Sequence, residues 1–201
     1  MPHKPKSQKQ FAKKELGQNF LNNKIVRDGI LGEAGKIKNK NILEIGPGLG
    51  FLTQKLLANN CHLTAIEFDP RAIKILKNEF KDQANFHLLQ GDILQQDLDL
   101  IFDQKKYSII ANIPYHITSP IFRKVLEQTK NKPEFCLFMV QKEVGQKVCN
   151  PKKRSILSIS VEVYAEPKYC FTVTRENFTP IPKVDSAIIR FDIREKPLIK
   201  E

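Results

Sequence analysis

Short apolar runs alternate along most of the chain with stretches whose apolar residues recur at helical spacing. Runs of this kind are typical of buried parallel strands, and they predict strands at residues 42–45, 63–69, 85–89, 107–112 and 135–140. The helical spacings predict helices near 24–31, from 51 to about 59, and from Pro70 onward. A fourth helix is predicted to follow Thr118-Ser119-Pro120, and we expect these three residues to cap that helix. Strands alternating with helices indicate an α/β fold built on a doubly wound, mostly parallel sheet.

The last third of the chain has a different pattern. Residues 169–174 and 184–193 are predicted strands, and 184–193 resembles one arm of an antiparallel pair. Residues 145–155 are predicted to form a loop that carries a basic cluster, Lys152-Lys153-Arg154. Residues 156–164 are ambiguous, because their apolar side chains alternate as in a strand.

A glycine-rich turn, Gly46-Pro-Gly-Leu-Gly50, follows the first predicted parallel strand. Glycines permit positive φ and let a ligand approach the backbone, and the free N–H groups of the next helix then face that ligand. The spacing is not the G-x-G-x-x-G of dinucleotide enzymes. Taken alone, the turn fits either a cofactor site or an ordinary tight connection between strand and helix.

Polar residues or glycines close four successive predicted strands. Glu67 ends the second, where an acid in a βαβ unit reaches the two hydroxyls of a ribose. Gly46, Asp92 and Asn112 close the others. Because the carboxyl ends of parallel strands meet at one edge of a sheet, these residues predict a binding site there, for a nucleoside-type cofactor.

The tetrapeptide Asn112-Ile-Pro-Tyr115 has a pattern suited to recognition of an amino group on a base. Pro114 makes the turn rigid and restricts Ile113 to extended geometry. The Asn112 amide oxygen and a neighbouring backbone carbonyl could then accept hydrogen bonds from one –NH₂ group, and Tyr115 offers a face for stacking. The alternative is a strand-ending turn with a core tyrosine.

Composition and charge narrow the class of protein. The chain has 201 residues, 41% of them hydrophobic, which suits one soluble domain. It contains no apolar stretch long enough to span a bilayer and no secretory signal. Four cysteines without C-x-x-C spacing and four scattered histidines favour reduced thiols in the cytoplasm and argue against a metal site.

The net charge of +11 indicates a polyanionic partner, with RNA or DNA ahead of a membrane surface. A generally lysine-rich proteome would explain the same number. Residues 1–14 carry five lysines and no acid, so we expect a flexible basic arm that contacts phosphates without reading sequence.

Six motifs together resemble a known family. They are residues 16–21, 44–50, 91–93, 112–120, 140–143 and 178–187. In this order they resemble the S-adenosylmethionine-dependent rRNA adenine N6,N6-dimethyltransferases of the KsgA type. The resemblance implies a Rossmann-like class I methyltransferase fold with a seven-stranded, mostly parallel sheet, a late antiparallel strand and helices on both faces. It also implies dimethylation of N6 of two adjacent adenines in the 3′-terminal hairpin of small-subunit (16S) rRNA during ribosome biogenesis.

The resemblance implies roles for the cofactor residues. Asn19 and Leu21 would border the methionine part of S-adenosyl-L-methionine, with Gly46 beside it. Glu67 would hold the ribose hydroxyls, and Asp92 would accept a hydrogen bond from the adenine amine.

It also implies how the target adenine is held. Asn112 would lie where the methyl donor meets the target, and Tyr115 and Phe178 would sandwich the base. Residues 156–164 would form a helix, against their alternating pattern.

The family pattern further divides the chain into three parts: residues 1–14 as the basic arm, 15–193 as the catalytic domain, and 194–201 as the start of a linker to a C-terminal helical domain. It implies a cytoplasmic monomer that acts on small-subunit rRNA or the immature 30S subunit, with no membrane and no metal.

Three alternatives stay open. The related large-subunit (23S) resistance methyltransferases share the first motifs, although residues 182–187 look more like the small-subunit enzymes. A non-catalytic RNA- or DNA-binding protein, such as an assembly or transcription factor, could retain the same fold, although Glu67 and the intact Asn112-Ile-Pro-Tyr115 argue against lost catalysis. A nicotinamide dehydrogenase is disfavoured by the glycine spacing.

Overall fold

The computed structural model describes residues 11–12, 18–152 and 154–199. Their strands are β1 Phe20–Leu21, β2 Asn41–Ile45, β3 His62–Glu67, β4 Phe86–Gln90, β5 Tyr107–Asn112, β6 Phe135–Gln141, β7 Ala165–Val173, β8 Phe178–Thr179 and β9 Ser186–Ile193. Their α-helices are α1 Lys24–Ala34, α2 Phe51–Ala58, α3 Pro70–Glu79, α4 Leu98–Phe102, α5 Thr118–Arg123, α6 Lys142–Val148 and α7 Ile156–Tyr164.

Seven of these strands form one sheet in the order β4-β3-β2-β5-β6-β9-β7. The first five in this order are parallel, and β9 runs antiparallel to both β6 and β7. β1 and β8 form a separate antiparallel pair. The prediction of a mostly parallel, seven-stranded sheet with a late antiparallel strand is therefore confirmed.

Helices cover both faces of this sheet because alternate side chains of each buried strand point to opposite sides. On one face, Ile109 of β5 packs in a core cluster with residues of α4, α5 and α7. On the other, Ile110 packs with residues of α1, α2 and α3. Since both faces are buried, the central strands are continuously apolar, which is why their sequence pattern identified them.

The ambiguous segment is a helix, as the family pattern implied. Ser155 caps it, since its hydroxyl accepts from the Ser158 N–H at 3.2 Å while the Ser158 hydroxyl accepts from the Ser155 N–H at 2.8 Å. Only one side of α7 is buried, with Val161 in the core and Ile156 exposed. The capping box and the burial of one side therefore stabilise a helix here, although the alternation of β-branched residues favours a strand.

Three predictions about local structure were wrong. Thr118 does not cap α5: it occupies the first helical position, and its hydroxyl donates to the Tyr115 carbonyl at 3.1 Å. Residues 145–148 belong to α6 rather than to a loop. The last strand begins at Ser186 rather than at residue 184, although its predicted antiparallel pairing is confirmed, with β6 and β7 as its two partners.

Two sequence predictions fall outside the described residues. They concern the basic arm, of which the structure describes only residues 11 and 12, and Lys153 of the basic cluster. At the other end, the Arg194 and Leu198 N–H groups donate to backbone carbonyls of α7.

Candidate functional site

The carboxyl ends of β2, β3 and β5 open into one cavity of about 320 Å³. Seven of the eight predicted site residues line it: Asn19, Leu21, Gly46, Glu67, Asp92, Asn112 and Tyr115. The structure therefore brings residues at the carboxyl ends of four successive strands, β2 to β5, to one cavity. The roles of the individual residues stay predictions.

The turn between β2 and α2 has a positive φ at all three of its glycines, Gly46, Gly48 and Gly50. Gly48 and Gly50 have φ of 59° and 82°, in the left-handed region that favours glycine. A Cβ on Gly50 would lie 2.8 Å from the Phe80 ring, and one on Gly48 would lie 3.0 Å from the Phe20 ring. Other residue types at Gly48 and Gly50 would therefore clash with these rings, so this turn lies at the cavity as backbone without side chains.

Glu67 spans the base of this turn. Its Oε2 accepts from the Gly48 N–H at 2.9 Å and its Oε1 from the Asp69 N–H at 2.8 Å. Burial raises the pKa of this carboxyl, and the backbone donors oppose that shift. An ionised carboxylate has about four acceptor positions, so these two bonds fix its orientation while leaving further lone pairs for a ligand.

Asp69 joins the segment before β1 to the start of α3. It accepts hydrogen bonds from the Gln18 amide at 3.0 Å and from the Arg71 side chain. Burial disfavours ionisation of Asp69, but Arg71 and Gln18 hold its pKa at about 2. Sequence reasoning missed this connection, which places Gln18 and the neighbouring Asn19 at the cavity.

Asp92 lies just after β4, at the carboxyl end of the third predicted strand, and caps the short 3₁₀ turn Ile93–Gln95. Its Oδ1 accepts from the Leu94 N–H at 2.9 Å. This bond orients the carboxylate at the cavity wall, and the predicted acceptance from an adenine amine would use Oδ2.

Asn112 and the turn after it are held from several directions. The Asn112 Nδ2 donates to the Asn19 carbonyl at 3.3 Å, which leaves Oδ1 as the acceptor end of the amide. The Ile113 N–H donates to the Met139 carbonyl at 3.1 Å, and its side chain is buried. The Tyr115 hydroxyl shares a hydrogen bond of 2.9 Å with the Ser186 hydroxyl. The predicted rigidity of this turn therefore has a physical basis.

His116, at the cavity wall beside Tyr115, is exposed and lies in the 3₁₀ turn Tyr115–Ile117. The structure gives it no hydrogen-bond partner among the described residues that would orient it as a base.

Phe178 does not lie where the sequence placed it. Its side chain is 2% exposed and packs in the core cluster on the α1 side, while its backbone pairs with Leu21 in the β1–β8 ribbon. Burial of this apolar ring supports β1, but no face of it is open to the cavity. In this arrangement Tyr115, and not Phe178, offers a stacking surface.

Glu44 is a functional candidate that sequence reasoning missed. It lines the cavity one strand away from Glu67, is 2% exposed, and its Oε2 accepts from the Thr53 hydroxyl at 2.7 Å. Burial raises its pKa to about 8, against the Thr53 hydrogen bond and with a contribution from the charge of Glu67. The signal was an acid inside an apolar strand, Ile42-Leu43-Glu44-Ile45.

Glu44→Gln should change how stability depends on pH. In the wild type, the Glu44 pKa rises from an ordinary 4.5 when unfolded to about 8 when folded, so its stabilising effect is complete below pH 4.5 and is lost as pH rises to 8. Glutamine keeps an acceptor for Thr53 and does not titrate. The variant's free energy of unfolding, relative to wild type, should therefore increase by a few kcal/mol between pH 5 and pH 8 in urea titrations. A difference that stays constant with pH would contradict the buried, protonated Glu44.

Two other kinds of site are absent from the described part of the chain. No group of three or more His, Cys, Asp or Glu side chains is arranged to hold a metal ion. No helix there combines the length and apolarity needed to cross a bilayer.

Comparison with known proteins connects this geometry to a family. A family model described as "Ribosomal RNA adenine dimethylase" matches residues 9–201. The "Ribosomal RNA small subunit methyltransferase A" of Fusobacterium nucleatum is 44% identical over 183 residues, covering 88% of this chain and 67% of the relative. The protein of that name from Clostridium acetobutylicum is 39% identical, covering 93% and 69%. The chain thus spans about two thirds of the length of these relatives.

Solved structures show the same fold. The 23S rRNA methyltransferase ErmE has a TM-score of 0.80 and 30% identity, covering 91% of this chain and 73% of its own. A dimethyladenosine transferase from Plasmodium falciparum has a TM-score of 0.77 and 31% identity, covering 88% and 64%. With the family model matching nearly the whole sequence, the chain belongs to the ribosomal RNA adenine dimethylase family, on a Rossmann-like class I S-adenosylmethionine-dependent methyltransferase fold.

Proposed function

We propose that this protein transfers methyl groups from S-adenosyl-L-methionine to N6 of adenines in small-subunit rRNA, two methyl groups to each of two adjacent bases. The single observation that carries the proposal is the ordered Asn112-Ile-Pro-Tyr115 turn at the wall of a cavity that also holds Glu67. The identity of 44% to a small-subunit methyltransferase supports the choice of subunit.

The residues at the cavity fit the proposed cofactor. The glycine turn brings backbone without side chains to the cavity, and Glu67 keeps lone pairs for two vicinal hydroxyls. Asn19, Leu21 and Gly46 would border the methionine part, and Asp92 would accept from the adenine amine. When bound, the cofactor supplies an activated methyl group on a sulfonium.

Chemistry at the target requires alignment more than a strong base. An exocyclic adenine nitrogen is a poor nucleophile because its lone pair is delocalised into the ring. Hydrogen bonds from that amine to Asn112 Oδ1 and to the Ile113 carbonyl would favour a tetrahedral nitrogen with an available lone pair. The Asn19–Asn112 hydrogen bond fixes the amide in the orientation that this role needs.

Tyr115 would receive the target base. Removing a base from its stack costs a few kcal/mol, and stacking on an aromatic ring offsets about 1–3 kcal/mol of it. The bond to Ser186 fixes the phenol, so little side-chain entropy is lost on stacking. A role for Phe178 on the other side of the base would require its buried ring to move out of the core.

The proposed partner is the rRNA of an immature small subunit, and the proposed working form is a cytoplasmic monomer. A net charge of +11 supports a polyanionic partner.

Methyl transfer from tritiated S-adenosylmethionine to separated ribosomal subunits tests the proposal. The acceptors should come from a strain that lacks the modification, so that the target adenines are free. We expect label in small-subunit rRNA only. Label in the large subunit would instead support the activity named for the structural relative ErmE. Binding of rRNA without label in either subunit would support a non-catalytic factor.

A further inference from the structure

Fourteen residues in three loops carry an unusual share of the positive charge. The loops are residues 36–40, 103–106 and 130–134, and together they contain seven lysines and two acids. Their net charge is therefore +5, against +11 for the whole chain.

The fold brings these three loops together. They lead into β2, β5 and β6, which are neighbours in the sheet. Asn41 pairs with Tyr107 in register, so Lys40 and Lys106 precede adjacent positions on strands about 5 Å apart. The Asn41 side chain donates to the Lys106 carbonyl at 2.8 Å, and the Asn131 side chain donates to the Lys105 carbonyl at 3.1 Å. We call this basic edge, formed by the three loops, the amino-edge surface.

Most of the charges on this surface lack an ion pair within the described part of the chain. The nearby Asp99 carboxylate accepts from the Lys130 and Asn131 N–H groups and attracts the Lys130 and Lys132 charges. Five exposed lysines form no ion pair with any residue that the structure describes: Lys36, Lys38, Lys105, Lys106 and Lys130. Lys40 pairs with Glu134 at 3.4 Å, an exposed contact of little energetic value. Like charges held close repel each other and destabilise the fold, so stability does not explain the cluster.

The loops that present these lysines are anchored. Ile37 is buried between Lys36 and Lys38. The Asn39 N–H donates to the Asn60 carbonyl at 2.9 Å, and the Glu134 N–H donates to the Tyr107 carbonyl at 2.7 Å. Lysines carried on an anchored backbone lose less backbone entropy on binding phosphates than lysines of a flexible tail do.

We propose that the amino-edge surface is a second RNA-contact surface, which binds phosphates of an rRNA segment other than the one that carries the target base. This proposal extends the proposed function and rests on it, because the proposed function identifies the polyanion as rRNA. The cavity lies at the opposite end of β5, whose six residues span about 20 Å at 3.3 Å each. A hairpin whose stem is only about four base pairs, roughly 14 Å at about 3.4 Å per pair, would therefore be too short to reach the surface from the cavity, whereas a large folded rRNA could contact both.

The double variant Lys38→Glu with Lys106→Glu tests this surface, with Lys74→Glu and Lys77→Glu as the matched control. The control lysines are exposed on α3 and undergo the same change in charge. Filter binding would compare deproteinised small-subunit rRNA with its 3′-terminal hairpin, shortened to a stem of about four base pairs, across a salt series. We expect the amino-edge variant to bind the long rRNA about tenfold more weakly, with a salt slope lower by about two.

Hairpin binding by this variant should be unchanged, because 20 Å exceeds the Debye length of about 8 Å at physiological salt. Thermal unfolding should not occur at a lower temperature, since lysine repulsion is relieved. An unchanged slope on long rRNA, an equal loss on the hairpin, or an equal loss in the control would overturn the proposal. Loss of binding to anionic vesicles alone would assign the surface to a membrane and overturn it too. This assay measures binding and not methylation, so its outcome does not depend on activity. A protein that binds rRNA through this surface but transfers no methyl group would contradict the proposed function and not the RNA-contact surface.

Discussion

Asn112→Ala should lower the rate of methyl transfer about a hundredfold or more, while affinity for S-adenosylmethionine changes much less. The variant removes Oδ1, which we propose accepts a hydrogen bond from the target amine at the moment of transfer. Loss of one positioned group in a transition state typically costs this factor. The measurement is single-turnover methylation with saturating cofactor and rRNA, so that binding does not limit the rate.

Asn112→Asp is the informative companion to that variant. Aspartate keeps an acceptor oxygen but cannot donate to the Asn19 carbonyl, so it separates the acceptor role from the bond that orients the side chain. Circular dichroism and cofactor calorimetry on both variants would show whether the site has stayed intact. Normal turnover by folded Asn112→Ala would refute its placement at the reacting nitrogen.

Glu67→Ala should weaken binding of S-adenosylmethionine by roughly 1.5–3 kcal/mol, the usual value for hydrogen bonds to a charged group. Calorimetry would measure it, but the same change leaves the Gly48 and Asp69 N–H groups without their acceptor. Loss of affinity alone would therefore not distinguish a missing ribose contact from a disturbed glycine turn.

A double-mutant cycle with the ligand resolves this ambiguity. S-adenosylhomocysteine and its 2′-deoxy analogue would be titrated into wild type and into Glu67→Gln, which keeps one of the two acceptor oxygens that the turn uses. Disturbance of the turn affects both ligands alike and cancels in the comparison between them. The wild type should prefer the ligand with the hydroxyl, and the variant should lose most of that preference. An equal preference in both proteins would contradict the ribose role of Glu67.

The position of the site was predictable from sequence because its parts follow strand ends. β5 matched its predicted bounds, since Lys105-Lys106 precede it and Pro114 follows it. Glu67 and Asn112 were recognised because a polar residue after an apolar run is visible without any tertiary information. Parallel strands then bring such residues to one edge.

What could not be predicted depends on contacts between distant parts of the chain. Phe178 is buried because β8 pairs with β1, whose residues lie more than 150 positions earlier, and no local pattern reports that pairing. Glu44 was overlooked because its raised pKa depends on its burial and on contacts with the Thr53 hydroxyl and with Glu67. The sequence around an acid inside an apolar strand does not show these contacts.

The amino-edge surface illustrates the same limit. Its lysines are visible in the sequence as separate short groups among many others. Only the adjacency of β2, β5 and β6 makes them one surface.

The most direct test of the central claim is the identity of the product. Small-subunit rRNA that lacks the modification would be incubated with S-adenosylmethionine and either wild-type protein or Asn112→Ala, digested to nucleosides, and analysed by mass spectrometry against synthetic standards. We predict N6,N6-dimethyladenosine with the wild type and almost none with the variant. Absence of that nucleoside with folded, cofactor-binding wild-type protein, or its normal formation by Asn112→Ala, would contradict the proposed site and its chemistry.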